Sequence, residues 1–373
     1  MKALRVLAFA SLFSFGVAIP FEIGVHAQGP VTSGGETVAK KKNGDPGSKE
    51  STGNKIPSQY EKKDNLPVGV PVFRTDALTV TVDTAILDNK GHFIPKIPRG
   101  NFRVSEDGVP QKISTFGTGE APMTIAMVIE FSASFESLYG AGWFQVLNSC
   151  YGFVQTLKPE DYVAVVAYDI RPEILSDFST NRQDTYEALQ RLRIPGFSEA
   201  NLYDAMVDTA QRMQDIEGRK AILLMSSGID TFSKLTFDKT RRAIQDAGVP
   251  IYAIGLLQSL RLMMGSRGDN INFIQADSQM TTFAKESGGM AFFPRFYGEM
   301  PGIYQTITEA MRNNYVLTYT PSNQTRDGKF RKIKVDLINP ETNQPLPIKD
   351  EKGKPVKYQI IAKTGYTAPR AVE

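Results

Sequence analysis

Four short apolar runs constrain this chain more than any other feature: 125–129 (IAMVI), 163–168 (VAVVAY), 221–225 (AILLM) and 251–255 (IYAIG). None alternates apolar with polar residues, so each reads as a strand buried on both faces. The stretches between them have helical spacing. In 143–157, Val146, Cys150, Phe153 and Leu157 fall on one face, and 182–193, 201–216 and 238–248 are further helical segments. Gly248 sits where a helix stops in the left-handed conformation, with Pro250 just beyond. Strands alternating with helices predict a mostly parallel sheet covered on both faces. Gly288-Gly289 then leads into a short edge strand over 290–293.

The flanks follow a different rule. From 72 to 116 the apolar residues have period two, as in Leu78, Val80 and Val82, and Asn89-Lys90-Gly91 and Glu106-Asp107-Gly108 mark hairpin turns. The segments 315–319, 333–337 and 358–362 read as strands as well. Each flank alone is marginal for a core without disulfides. Together they reach the size of a small Ig-like β-sandwich. The expected organisation is therefore a discontinuous sandwich over 72–120 and 314–368, with the α/β unit over 121–313 inserted into it.

The N-terminus has the pattern of a secretory signal. Lys2 and Arg5 precede an apolar stretch over 6–19, and Val25-His26-Ala27 places small residues for cleavage after Ala27. The stretch falls short of the ~20 residues a spanning helix needs, although an uncleaved anchor is the alternative. Residues 28–71 are rich in Gly, Pro, Ser, Asn and Lys, and read as a disordered linker. The mature protein is thus expected outside the cytosol, secreted or periplasmic, with no membrane span after cleavage.

Composition excludes more than it selects. A net charge of +3 over 373 residues gives no case for nucleic acid. The single cysteine, Cys150, rules out an intrachain disulfide. Only His92 remains after signal removal, in a turn, so a histidine-based zinc cluster or a Ser-His-acid triad has little to draw on.

In open α/β sheets the ligand site lies beyond the carboxyl ends of the strands, where strand order reverses. The first inserted strand runs into Glu130-Phe131-Ser132-Ala133-Ser134, and two more loops should converge there: 197–200 (FSEA) and 226–230 (SSGID). The acid-x-Ser-x-Ser pattern, the turn into 202–205 (LYDA) and 223–230 (LLMSSGID) resemble a von Willebrand factor type A domain. From about 72 to 366 the chain also resembles a family of secreted bacterial proteins carrying a related domain, through 102–113 (FRVSEDGVPQKI) and 328–335 (GKFRKIKV).

The resemblance implies a doubly wound, Rossmann-like α/β sheet and, in that class, a Mg²⁺ held by Asp-x-Ser-x-Ser, a Thr and a second Asp. Ser132 and Ser134 match this set. The first Asp is Glu130, the Thr position holds Ala200, and the second Asp position holds Ser227. Three altered positions point to a degenerate site with no cofactor. The alternative is a compensated site, with Glu130, Ser132, Ser134 and Asp230 as metal ligands, Glu199 nearby, and Mg²⁺ or the more tolerant Ca²⁺ bound. The long segment 256–279 follows a strand end and reads as a binding loop, with Leu257 on a short amphipathic turn. Leu260, Met263, Met264, Phe131 and Phe135 are the candidate partner-binding residues, because Met and aromatic side chains suit adaptable interfaces. Arg267-Gly268-Asp269 in the same loop is too short a match to carry weight. The expected function is a non-enzymatic protein-binding or adhesion module. A structural envelope component is an alternative, and a metal-dependent hydrolase is disfavoured.

Overall fold

A computed structural model describes residues 78–119, 121–133, 143–192, 196–258, 271–350 and 352–371. The segments expected to be a signal peptide and a linker, 1–27 and 28–71, lie outside the described residues.

The chain opens with four strands: β1 (Val80–Asp88), β2 (Phe102–Glu106), β3 (Val109–Gln111) and β4 (Ile113–Gly119). The β2–β3 hairpin turns on Asp107 and Gly108, both at positive φ, where Gly meets no steric penalty. The central part then runs β5 (Met123–Glu130), α1 (Trp143–Gln155), β6 (Tyr162–Tyr168), β7 (Pro172–Ser179), α2 (Arg182–Gln190), α3 (Leu202–Met213) and β8 (Arg219–Ser226). It continues with α4 (Phe237–Ala247), β9 (Ile251–Gly255), α5 (Ile271–Ser287), β10 (Ala291–Phe292) and α6 (Met300–Arg312). The last strands are β11 (Asn314–Tyr319), β12 (Phe330–Leu337), a small hairpin of β13 (Ile348–Lys349) and β14 (Pro355–Val356), then β15 (Tyr358–Ala362) and β16 (Gly365–Thr367).

The central sheet has the order β10-β9-β8-β5-β6-β7, parallel except for β7 at its edge. This is the doubly wound, mostly parallel α/β sheet that the apolar runs predict. All eight residues of β5 are buried, as a strand covered on both faces requires. Helices α1 and α6 cover one face, through Val146, Phe153, Ile303 and Ile307. Helices α3, α4 and α5 cover the other, through Met206, Ile244 and Phe283. The Gly248 stop is present, at φ 62 with its N–H bonded to Ile244 O.

Two antiparallel sheets, β15-β1-β11-β4 and β16-β12-β2-β3, each combine strands from both ends of the chain. Their facing residues, among them Val82, Ile86, Val104, Leu317 and Val335, share one apolar cluster. Each flank contributes strands to both sheets, so neither sheet, and hence neither side of the cluster, is complete until the two segments pair.

Two elements differ from the sequence reading. Strand β7 was not expected: it begins with Pro and is half-exposed, so neither a continuous apolar run nor clean alternation marks it. The long loop over 256–279 is also shorter than expected, because α5 begins at Ile271. Phe273, Ala276, Met280, Phe283 and Ala284 pack its inner side. Leu257 and Gln258 are helical, as the expected amphipathic turn has them, and Leu257 packs into the core at 1% exposure.

Candidate functional site

Strand order reverses at β5, whose neighbours β6 and β8 are reached by crossovers in opposite directions. The crevice this leaves at the carboxyl ends is where such sheets bind ligands. Glu130 is the last residue of β5 and Ser226 the last of β8. Because Ile129 registers with Met225, the next two residues, Glu130 and Ser226, stand side by side over the crevice.

Backbone hydrogen bonds knit three loops around them. Phe131 N donates to Tyr168 O at 2.8 Å, and Ala133 N to Phe197 O at 2.7 Å. Ala200 O accepts from Thr231 N at 2.8 Å and from Phe232 N at 3.1 Å, and Thr231 Oγ1 accepts from Ala200 N at 2.8 Å. Gly228 makes the third loop possible. Its φ is +77, and a Cβ there would lie 2.7 Å from Met280 Cε, so a larger residue meets both strain and a clash.

The Glu130 carboxylate is 2% exposed and turned into the protein. Its Oε2 accepts from Ser227 N and Ser227 Oγ, both at 2.7 Å, and from Ser226 Oγ at 2.9 Å. Its Oε1 accepts from Ser132 Oγ at 3.1 Å. A hydroxyl has one proton to give. With that of Ser226 directed to Glu130, Tyr168 donates to Ser226 across their 2.8 Å contact, and a relay runs Tyr168 to Ser226 to Glu130. Ser226 Oγ and Ser227 Oγ in turn accept from Gly228 N and Ile229 N. Burial pushes the Glu130 carboxyl above its ordinary range, while the bonds from Ser227, Ser226 and Ser132 pull it back. Burial and the adjacent Glu130 raise Tyr168 far above a free phenol.

Of the sequence-predicted ligands, Glu130 and Ser132 are therefore brought together, and Ser134 lies outside the described residues. Asp230 is engaged elsewhere. Its Oδ1 accepts from Ser233 Oγ at 2.5 Å and from Tyr203 N at 3.3 Å, at the buried start of α3. Asp230 thus satisfies a free amide at a helix N-terminus, a familiar use of Asp. Mg²⁺ requires about six oxygens in near-octahedral array. Here the buried Oε2 is already occupied by three donors, Ala200 offers no side-chain oxygen, and the Ser227 hydroxyl is spent. Among the described residues this donor set does not fit that cation. Among the described residues no group of three or more His, Cys, Asp or Glu side chains converges to hold a metal.

Of the expected partner-binding residues, Phe131 is half-buried and packs against the core. Phe135, Leu260, Met263 and Met264 lie outside the described residues. Sequence reasoning missed Phe197 and Phe232, which are 48% and 56% exposed on the second and third loops. The available signal was an isolated aromatic residue inside each of two polar loops. It also missed Tyr168 and Ser226, buried partners of Glu130, which only the strand register brings together.

An open, doubly wound sheet with three hydrogen-bonded loops over its switch point defines a class of α/β ligand-binding domains. Residues 125–304 match the von Willebrand factor type A domain, and this part of the chain is a domain of that family. Among solved structures, the chain is similar to proximal thread matrix protein 1 from the mussel byssus, at 14% identity and a TM-score of 0.42. That match covers 56% of this chain and 51% of the mussel protein, so the chain spans about half the latter's length. The von Willebrand factor domain of the type V pili tip protein Mfa5 from Porphyromonas gingivalis matches at 15% identity, over 52% of this chain and 97% of that one, with a TM-score of 0.41. A von Willebrand factor type A protein from Catenulispora acidiphila matches at 11% identity, over 79% and 76% of the two chains, with a TM-score of 0.40. No curated protein sequence matches this chain. No helix among the described residues is long and apolar enough to cross a membrane.

Proposed function

We propose that this protein is a non-enzymatic binding module, exported from the cytosol, that engages a protein partner through the strand-end face without a cation. The Glu130 carboxylate carries the reading. It sits where this domain class holds its metal, and its lone pairs are taken by Ser132, Ser226 and Ser227. A partner carboxylate brought to such a site would meet a buried acid rather than Mg²⁺. Recognition then falls to the rim. Phe197 and Phe232 stand on loops fastened to one another through Ala200 and to the Phe131 loop through Ala133. Exposed aromatic side chains on a rigid support are the usual anchors of protein interfaces.

Two measurements test the proposal. Calorimetric titration of the mature protein with Mg²⁺, Mn²⁺ and Ca²⁺ is expected to give no saturable heat, and saturable heat in the wild type sinks the cation-free reading. Partner capture from the envelope fraction of the producing cell is expected to resist EDTA and to fail for Phe197→Glu combined with Phe232→Glu. Both phenylalanines are exposed, so the doubly substituted protein should keep its melting temperature. Capture that survives both substitutions rules out the rim.

A further inference from the structure

A slot opens at the β7 edge of the central sheet and runs beneath the second half of α3, with a volume of about 1200 Å³ counting its mouth. Its floor comes from two rungs of the sheet. Val128 registers with Val166, and Ala126 with Ala164, and all four face α3. The valine rung fills the layer under the helix, whereas the alanine rung leaves a notch. Ala126 also registers with Ile222, whose larger side chain bounds the notch on the β8 side. The notch lies well back from Glu130 along β5, roughly 13 Å at about 3.3 Å per residue, so it is distinct from the strand-end crevice.

The edge strand is shaped to the notch. Val163 registers with Ser179 and Val165 with Ser176, so Asp177 and Phe178 together oppose Ala164. A bulge of this kind re-aims side chains. Here both Asp177 and Phe178 line the slot, beside Ile174 at 44% exposure. Above the floor stands Thr209 of α3, 3% exposed, and its Oγ1 has no hydrogen-bond partner among the described residues. A buried hydroxyl left unpaired is costly to keep. A helical threonine has two accessible χ1 rotamers, so rotation about one bond presents this hydroxyl to whatever enters the slot. Among the charged residues at the mouth, Asp177 and Asp215 outnumber Arg212, which is tied to Asp208 at 2.8 Å.

These features select the occupant. The floor and walls are apolar, so its body must be apolar too. A single buried hydroxyl calls for one hydrogen-bonding group at the inner end, and the acids at the mouth disfavour an anion. An apolar cavity of about 150 Å³ already admits benzene, so the slot has room for a ring and for a substituent leading outward over Ile174. The geometry points to a binding site for a small uncharged aromatic alcohol, a phenol whose ring lies on Ala126 and Ala164 and whose hydroxyl pairs with Thr209.

The test is fluorine NMR titration of the mature protein with para-fluorophenol, fluorobenzene and para-fluorobenzoate. The expected result is saturable binding of para-fluorophenol, with fluorobenzene weaker by about fivefold, the ordinary worth of one neutral hydrogen bond. The benzoate should not saturate. Thr209→Val, nearly isosteric and free of the hydroxyl, should bring para-fluorophenol down to the affinity of fluorobenzene and leave fluorobenzene unchanged. Ala164→Leu fills the notch and should abolish binding of both. Four results overturn the proposal: no saturable para-fluorophenol binding, a benzoate that binds as tightly as the phenol, a preference for the phenol over fluorobenzene that is absent in the wild type or survives in Thr209→Val, or unchanged binding in a folded Ala164→Leu protein. If overpacking unfolds Ala164→Leu, the Thr209→Val comparison decides alone. None of these readouts involves the strand-end face, so the two proposals stand or fall separately.

Discussion

Shortening Glu130 by one methylene tests the reading of the strand-end site directly. Glu130→Asp restores the acid usual in this domain class and withdraws the carboxylate by about 1.5 Å, one C–C bond. The bonds to Ser227 N and Oγ at 2.7 Å and to Ser226 Oγ at 2.9 Å would then stretch to roughly 4 Å, beyond hydrogen-bonding range. A hydrogen bond to a charged group contributes about 1.5–3 kcal/mol. Allowing for relaxation of the loop, a net loss of about 3 kcal/mol is expected, which at an unfolding entropy of about 2.1 cal/mol/K per residue lowers the melting midpoint by roughly 4–5 °C. The same substitution opens space beside three unsatisfied donors. Adding Ala200→Thr and Ser227→Asp completes the metal-binding pattern, and the triple variant is expected to regain stability in millimolar Mg²⁺, with a saturable calorimetric signal. The reasoning is refuted if Glu130→Asp melts with the wild type.

Three further outcomes follow from other parts of the structure. Burial raises the folded-state pKa of Glu130 above its unfolded value. Its contribution is therefore fully present below the unfolded pKa of about 4.5 and is lost as pH rises through the raised folded value. Unfolding free energies of Glu130→Gln measured by urea titration across that window should lack this loss, and parallel curves for the two proteins would contradict it. Asp161 is wholly buried and accepts from Met123 N at 2.9 Å, Lys158 N at 2.8 Å and Arg312 Nη2 at 2.7 Å. Asp161→Ala should cost about 3–5 kcal/mol in urea denaturation, because Arg312 stays buried without its carboxylate. Gly228→Ala should cost about 1–3 kcal/mol through its positive φ, and Met280→Ala added to it should recover part of the loss by removing the methyl that the new Cβ meets.

The fold was legible because burial on both faces leaves a plain mark: uninterrupted apolar runs such as 125–129 occur where no side chain faces water. Strand β7 was not legible, because an edge strand satisfies only one side and its half-exposed residues carry no period. Helix α5 was hidden for a related reason, since Phe273, Ala276 and Met280 are spaced helically but separated by polar residues. At the site, the acid-Ser-Ser loop marked the correct strand end, yet its chemistry was not readable from spacing. The partners of Glu130 include Tyr168, Ser226 and Ser227, far away in sequence, and only the register of β5 against β6 and β8 brings them to one carboxylate. The rim aromatics Phe197 and Phe232 were passed over because an isolated Phe in a polar loop reads as an ordinary connection until the loops are seen to be bonded together.

That register also ties two of the three altered metal positions into a single exchange. With Asp at both 130 and 227, two carboxylates would face each other across the crevice and demand a cation between them. With Glu at 130 and Ser at 227, one carboxylate faces a hydroxyl and an amide at 2.7 Å, and the pair is a donor and an acceptor that need nothing else. The longer acid supplies the reach and the serine supplies the proton. Changing one member alone should therefore be worse than changing both. Ser227→Asp in the wild-type background places a second carboxylate within hydrogen-bonding distance of the first, in a site that excludes water. Like charges this close cannot both ionise cheaply, so the pair should share a proton, with one pKa strongly raised. The expected protein melts below the wild type at pH 7 and recovers either on acidification towards pH 5 or on addition of Mg²⁺. Adding Glu130→Asp to Ser227→Asp should sharpen the Mg²⁺ response and weaken the acid response, since a cation then fits where the proton had served. A Ser227→Asp protein indifferent to both pH and Mg²⁺ would show that residues 130 and 227 do not act on each other.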